Sequence, residues 1–173
     1  MPLLRIEPLA GYTPTIGRLV GMLTYSRQTL VAAVDGLTTA QLDHLHDPQA
    51  NSIGALLAHA AAVEQWYQRF TFEPGSPNEL ENGVLMPALE LGDLGRAVIK
   101  GRDLASYLDD LQTTRARTLA ELARRDDAWL EAPLPTSVAM NAHWAWFHVA
   151  EDETNHRGQI RWLRGRLPLG SAP

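Results

Sequence analysis

The chain has 173 residues, 15 of them Lys or Arg against 20 Asp or Glu, with 45% hydrophobic residues, 20% charged residues and no cysteine. A chain of this size can bury a full core without disulfides, and it is read as a single domain over residues 1–173. The missing cysteines exclude disulfide frameworks, thiolate nucleophiles and cysteine-based metal clusters, and a net charge of −5 gives no basic footprint for nucleic acid or anionic lipid.

Four long segments carry helical periodicity and none alternates like a strand, so the expected fold is all-α. The first opens at Thr13-Pro14, an N-cap residue followed by Pro at the first helical position. It runs to Gly36 with Ile16, Leu19, Val20, Leu23, Leu30 and Val34 on one face. A capping box at Thr38 and Gln41 starts a short turn that Asp47-Pro48 stops. The second long helix begins near Asn51 or Ser52 and continues to about Phe70, with Ile53, Leu56, Ala60, Val63, Tyr67 and Phe70 inward.

From Glu73 to Gly101 the pattern is broken by Pro74, Gly75, Pro77, Asn82-Gly83, Pro87, Gly92 and Gly95, which predicts a long connection with some helical turns of its own. The third long helix covers Arg102 to Arg125, with Leu104, Leu108, Leu111, Leu119 and Leu122 inward. Pro133 and Pro135 break the chain, and the fourth helix runs from about Ser137 to Arg166. Its closing Arg161, Arg164 and Arg166 suit the negative end of a helix dipole. Together these predict a four-helix bundle with one long crossover between the second and third long helices.

No stretch approaches the roughly 20 apolar residues that a bilayer span needs. The opening Met1-Pro2-Leu3-Leu4-Arg5-Ile6-Glu7-Pro8 is interrupted too early for a signal peptide, so a cytoplasmic protein that engages neither membrane nor nucleic acid is expected.

In a bundle, sites are built from side chains that face inward from neighbouring helices. On the fourth helix Ala145, Val149, Ile160 and Leu163 share one side, and Asp152 and His156 fall at its centre. An inward carboxylate is costly unless paired or coordinated. The i, i+4 spacing sets both side chains on one face, as in the histidine pair of HExxH zinc sites. The second helix offers His59, its single His, at the edge of the Leu56, Val63 and Phe70 stripe. Two imidazoles and a carboxylate make a three-ligand site with open positions, suited to a zinc-like divalent ion. A hydrogen-bonded core histidine with an acid one turn away has the same spacing, and spacing alone leaves both readings open.

His148 and Gln159 flank the same stripe. Arg27, between Leu23 and Leu30, and Arg115 on the third helix also face inward, where each can bind an anionic group, balance Asp152, or snorkel to a surface acid. Trp66, Tyr67, Phe70, Trp144, Trp146 and Phe147 read as core or dimer contacts, and His44 and His46 as solvated.

The stretch from Trp144 to Ile160, with His148, Asp152, His156 and the run Arg157-Gly158-Gln159-Ile160, resembles the last-helix signature of the DinB/YfiT-like superfamily. Asn51 to His59, followed by Glu64, Trp66 and Tyr67, is similar to its second-helix signature. The resemblance spans essentially the whole chain. It implies a crossover four-helix bundle, often a homodimer, holding one divalent metal ion, zinc or nickel, on residues that here are His59, Asp152 and His156. The family more often has His where Asp152 stands; acids near this place resemble its mycothiol-dependent branch, whose last His is replaced here by Gln159.

The resemblance further implies a small-molecule substrate and either thiol S-transfer, with a low-molecular-weight thiol as cosubstrate, or hydrolysis. A bound ion would lower the pKa of a thiol or water in either case. On this reading His148 or Glu153 orients a ligand or acts as a base, Arg27 and Gln159 meet the substrate, and the segment from Glu73 to Gly101 covers the pocket. The other expectation, from a different class, is a metal-free binding or stress-response module on the same fold.

Overall fold

The computed structural model describes residues 4–73, 84–135 and 139–168. Pro74, Gly75, Pro77 and Asn82-Gly83 of the predicted connection, and Ser137 at the predicted start of the last helix, lie outside the described residues. The helices are α1 (Pro14–Val34), α2 (Thr39–Leu42), α3 (Ile53–Phe72), α4 (Met86–Glu90), α5 (Gly92–Val98), α6 (Leu104–Leu122), α7 (Asp127–Glu131) and α8 (Ala142–Arg164). Helices α1, α3, α6 and α8 form the four-helix bundle, and α4 and α5 are turns of the crossover between α3 and α6. Among the described residues no helix is long and apolar enough to cross a membrane.

The helix starts follow local chemistry. Ser52, Asp103 and Asn141 each accept a hydrogen bond from a backbone N–H three residues on, and Thr38 and Gln41 close the capping box of α2. Helix α1 is capped from a distance: the Asp127 carboxylate accepts from the backbone N–H of Thr15 and Ile16 and from the hydroxyls of Thr13 and Thr15. Those donors, the Thr13 hydroxyl first, hold the Asp127 carboxyl down at about 2. Helix α8 starts later than its apolar pattern suggests. Pro133 and Asn141 form an antiparallel bridge, and the Leu134 N–H donates to the Met140 carbonyl at 2.8 Å, so residues 140 and 141 pair as extended chain before the helix begins at Ala142.

Helix α8 packs along α1 and α3, and α3 along α6, whereas α1 and α6 meet over a much shorter length. That open edge leaves a groove of about 400 Å³, walled by Val31, Leu108 and Leu119 and floored by Arg27 and Arg115. The core divides into two apolar clusters. One contains Leu30, Val34, Leu56, Leu57, Leu111 and Ile160; the other contains Ile16, Leu19, Leu23, Leu122, Trp146 and Val149. On each of the four helices a buried polar or charged residue falls between them: Arg27, Glu64, Arg115 and Glu153.

Close packing of α3 on α6 requires a glycine. A Cβ at Gly54 would stand 2.8 Å from the Tyr107 hydroxyl, and the Tyr107 side chain is fully buried. Gly54→Ala should therefore cost about 1–3 kcal/mol through overpacking, read as a lower urea midpoint with an unchanged slope.

Candidate metal centre

The His59 side chain projects from α3 towards α8, where Asp152 and His156 lie one turn apart. Asp152 Oδ1 is 3.5 Å from His59 Nε2 and 3.2 Å from His156 Nε2. One ligand atom from each residue lies within 4.8 Å of the others. The two imidazoles meet edge to face with centroids 4.7 Å apart. All three side chains are largely shielded, with roughly a tenth of each exposed.

Each imidazole is oriented by its far nitrogen. His59 Nδ1 donates to the Ala88 carbonyl at 2.7 Å, and His156 Nδ1 lies 3.3 Å from Gln159 Oε1. Both Nε2 atoms therefore face the carboxylate, the arrangement in which outer hydrogen bonds fix the tautomer of ligating histidines. The Ala88 carbonyl comes from α4, so the crossover reaches the site. Its path is set at Leu91, a non-glycine residue in the left-handed region (φ 57°) followed by Gly92 (φ 56°). The Gly92 N–H is anchored on Asn51 Oδ1 at 3.0 Å. Backbone strain of this kind persists only where surrounding contacts over-determine it.

Electrostatically the site calls for a positive charge. Burial opposes ionisation of Asp152, but hydrogen bonds and charge from His156 and His59 outweigh it and hold the carboxyl well below the usual carboxylate range. Burial likewise opposes charging of His59, yet the Asp152 hydrogen bond and charge, with the Ala88 and Leu89 carbonyls, raise its pKa above the ordinary imidazole value. Among the described residues, Asp152 Oδ2 is buried with no hydrogen-bond partner. A buried carboxylate oxygen in that condition carries its full desolvation cost. Two imidazole nitrogens and a carboxylate oxygen are a donor set that a zinc-like divalent ion fits.

Tyr67, two turns beyond His59 on α3, was read from sequence as a packing residue, and it also borders this centre. Burial first, and then the negative charge of Asp152, push its phenol up to about 12. His148, one turn before Asp152 on α8, meets the Tyr67 ring edge-on at 5.9 Å and stacks on Trp144 at 5.0 Å. Its Nδ1 lies 3.0 Å from Glu151 Oε2. Gln159 is exposed beside His156 and borders a groove of about 420 Å³ with Asn51 and Trp162.

Arg27 and Glu153, expected as substrate contact and base, lie together in a buried charge cluster away from His59 and His156. Glu153 is fully buried, turned from the metal centre towards α1 and α6. Its carboxylate accepts from Arg27 Nε at 2.8 Å, Arg115 Nη2 at 2.9 Å and Ser26 Oγ at 2.6 Å. Arg27 also donates to Glu64 at 2.7 Å and to the Leu111 carbonyl, so it neither balances Asp152 nor faces the metal centre. Glu64, the other acid of this cluster, stood in the sequence reading only as part of the second-helix signature. The readable signal was charge balance: two inward arginines need two inward acids, and Glu64 lies on the buried side of α3.

The family model of mycothiol-S-transferase matches residues 18–168. The chain belongs to the mycothiol-S-transferase family. This is a DinB/YfiT-like family, in keeping with the signatures around His59 and His156. Among solved structures, a conserved protein from Enterococcus faecalis superimposes with a TM-score of 0.66 at 14% identity, covering 86% of this chain and 94% of that one. At that identity the likeness carries the fold. No curated protein gives a significant match. Membership of the mycothiol-S-transferase family suggests thiol S-transfer, and the His59, Asp152 and His156 cluster is where a metal ion would sit.

Proposed function

We propose that the protein is a divalent-metal-dependent S-transferase that joins a low-molecular-weight thiol, mycothiol on the family model, to a small electrophile. The observation that carries this is the convergence of His59 and His156 on Asp152 Oδ1, while among the described residues the buried Oδ2 of the same carboxylate has no hydrogen-bond partner. These three residues would hold the ion. When bound, a zinc-like ion lowers the pKa of a thiol and so presents thiolate at neutral pH.

The remaining work falls to the chain's own groups. As the carbon–sulfur bond forms and the leaving group departs, the thiol proton must be accepted, and His148 is the base nearest the Tyr67 side of the centre. Its Nδ1 is oriented by Glu151 at 3.0 Å. The Tyr67 phenol keeps its proton at neutral pH and serves as a donor to a developing anion. Beside His156, the groove at Asn51, Gln159 and Trp162 offers amide and aromatic surface to the rest of the cosubstrate.

Protein purified without a histidine tag and loaded with Zn²⁺ is expected to form conjugate from mycothiol and a chloro-nitroaromatic acceptor, with release of chloride. His148→Ala should lower kcat by about 10²-fold or more. Conjugate formation no faster than the protein-free rate, in protein shown to hold zinc, would overturn the transferase reading.

A further inference from the structure

Two arginines and two glutamates bury themselves at the level where the bundle's apolar core divides. Arg27 of α1 donates to Glu64 of α3, to Glu153 of α8 and to the Leu111 carbonyl on α6. Arg115 of α6 donates to the same two acids and to the Leu23 carbonyl on α1. The pattern is reciprocal: each arginine reaches the carbonyl four residues before the other. The outer valences of the acids are filled as well, by Ser26 on Glu153 at 2.6 Å and by Thr118 on Glu64 at 2.6 Å. Thr118 in turn accepts from Gln68 at 2.8 Å.

Such a cluster is expensive to bury, and apolar residues of similar volume often serve stability as well or better. What such a cluster adds in some proteins is a fixed rotation and axial register. The two acids lie on α3 and α8, the helices that carry the metal-site residues. Glu153 adjoins Asp152 in sequence, and Glu64 is five residues from His59. A rotation of α8 of about 100°, one residue's worth, would turn Asp152 away from α3.

Resting on the metal reading above, we infer that Arg27, Arg115, Glu64 and Glu153 form a positioning brace for the metal centre. The brace locks α8 against α3 so that Asp152 and His156 meet His59, and it does so from a neighbouring face of α8, with no hydrogen bond to any of the three among the described residues. The loosely packed pair α1 and α6 is joined through it, which is why the groove between them is floored by guanidinium groups.

The test is Co²⁺ binding to native protein, Glu153→Gln and the milder Ser26→Ala, followed by titration calorimetry and the visible spectrum of the bound ion. Glu153→Gln should weaken Co²⁺ about 10–100-fold, as loss of outer positioning groups does elsewhere, and shift the absorption bands. Ser26→Ala should do the same to a smaller degree. The rise in Tm on adding Co²⁺ should shrink with it, since that rise reads affinity rather than basal stability.

Unchanged affinity and spectrum in both variants, with only a lower basal Tm, would show a purely structural cluster and overturn the inference. If native protein takes up no Co²⁺, the metal reading itself fails. The brace is then decided by the imidazole ¹⁵N resonances of His59 and His156 in metal-free protein. Those shift in Glu153→Gln if the brace sets their geometry and stay in place if it does not.

Discussion

Replacing His156 with alanine is expected to lower Zn²⁺ affinity by on the order of 100-fold or more. A four-ligand zinc site contributes roughly 10–16 kcal/mol, about 3 kcal/mol per ligand, which is about two decades in affinity. Loss of the imidazole also leaves Asp152 with His59 alone, 3.5 Å away, so the metal-free variant should be less stable by about 1–3 kcal/mol. His148→Ala is the control, because His148 lies one turn outside the cluster and should keep native affinity.

The pH dependence has a definite sign. The His59 pKa is raised, so its stabilisation of the metal-free fold is complete below about 6.5 and is lost as pH rises through the higher folded value. Zinc must displace that proton, so apparent affinity should climb with pH across that window and level off above it, while Asp152 stays ionised throughout. Competition with a chromophoric chelator at several pH values reads both effects. Equal losses in His156→Ala and His148→Ala would remove the centre from its assigned place.

How far the sequence alone reached can be judged residue by residue. Four long helices were legible because Leu, Ile and Val recur at the helical period and because Thr38, Ser52 and Pro14 mark starts by local chemistry. Helix α7 was not, since five residues are too few to display a period. The delayed start of α8 depends on the pairing of Pro133 with Asn141, a contact between residues eight apart that periodicity does not see. At the metal centre, Asp152 and His156 stood out as polar residues in an apolar stripe, and His59 as the single histidine of its helix. The Ala88 carbonyl that orients His59 is a backbone group, and no side-chain pattern announces it. Arg27 and Arg115 stood out as arginines within apolar stripes, but the spacing left open whether they faced an anionic group, Asp152 or a surface acid. An inward arginine states that an acid is near without saying which one, and the nearer guess was Asp152 rather than Glu64.

Glu64→Gln is expected to destabilise the fold by about 3–5 kcal/mol, because it removes one member of a buried charge cluster and leaves the others uncompensated. The native carboxylate is fully buried and accepts from Arg27, from Arg115 and from the Thr118 hydroxyl. An amide of the same size offers one acceptor where two were used, and the cluster goes from neutral to a net positive charge shared by two guanidinium groups on Glu153. Against a total stability of about 5–15 kcal/mol for an ordinary domain, such a loss brings the bundle close to unfolding at 37 °C.

Acid should mimic the mutation. Burial favours the neutral form of Glu64, but the charges of Arg115 and Arg27 prevail and hold its pKa below the ordinary value. Its stabilisation is therefore fully present above the unfolded value of about 4.3 and is lost as pH falls towards the lower folded value. Urea unfolding of the native protein from pH 7 downwards should show that loss, and Glu64→Gln should show a flatter profile over the acidic range because its titrating group is gone. Replacing all four charged residues with apolar ones of similar volume should restore much of the stability without restoring the fixed rotation of α8. Stability and metal affinity would then part company, as they must if the cluster is kept for placement rather than strength.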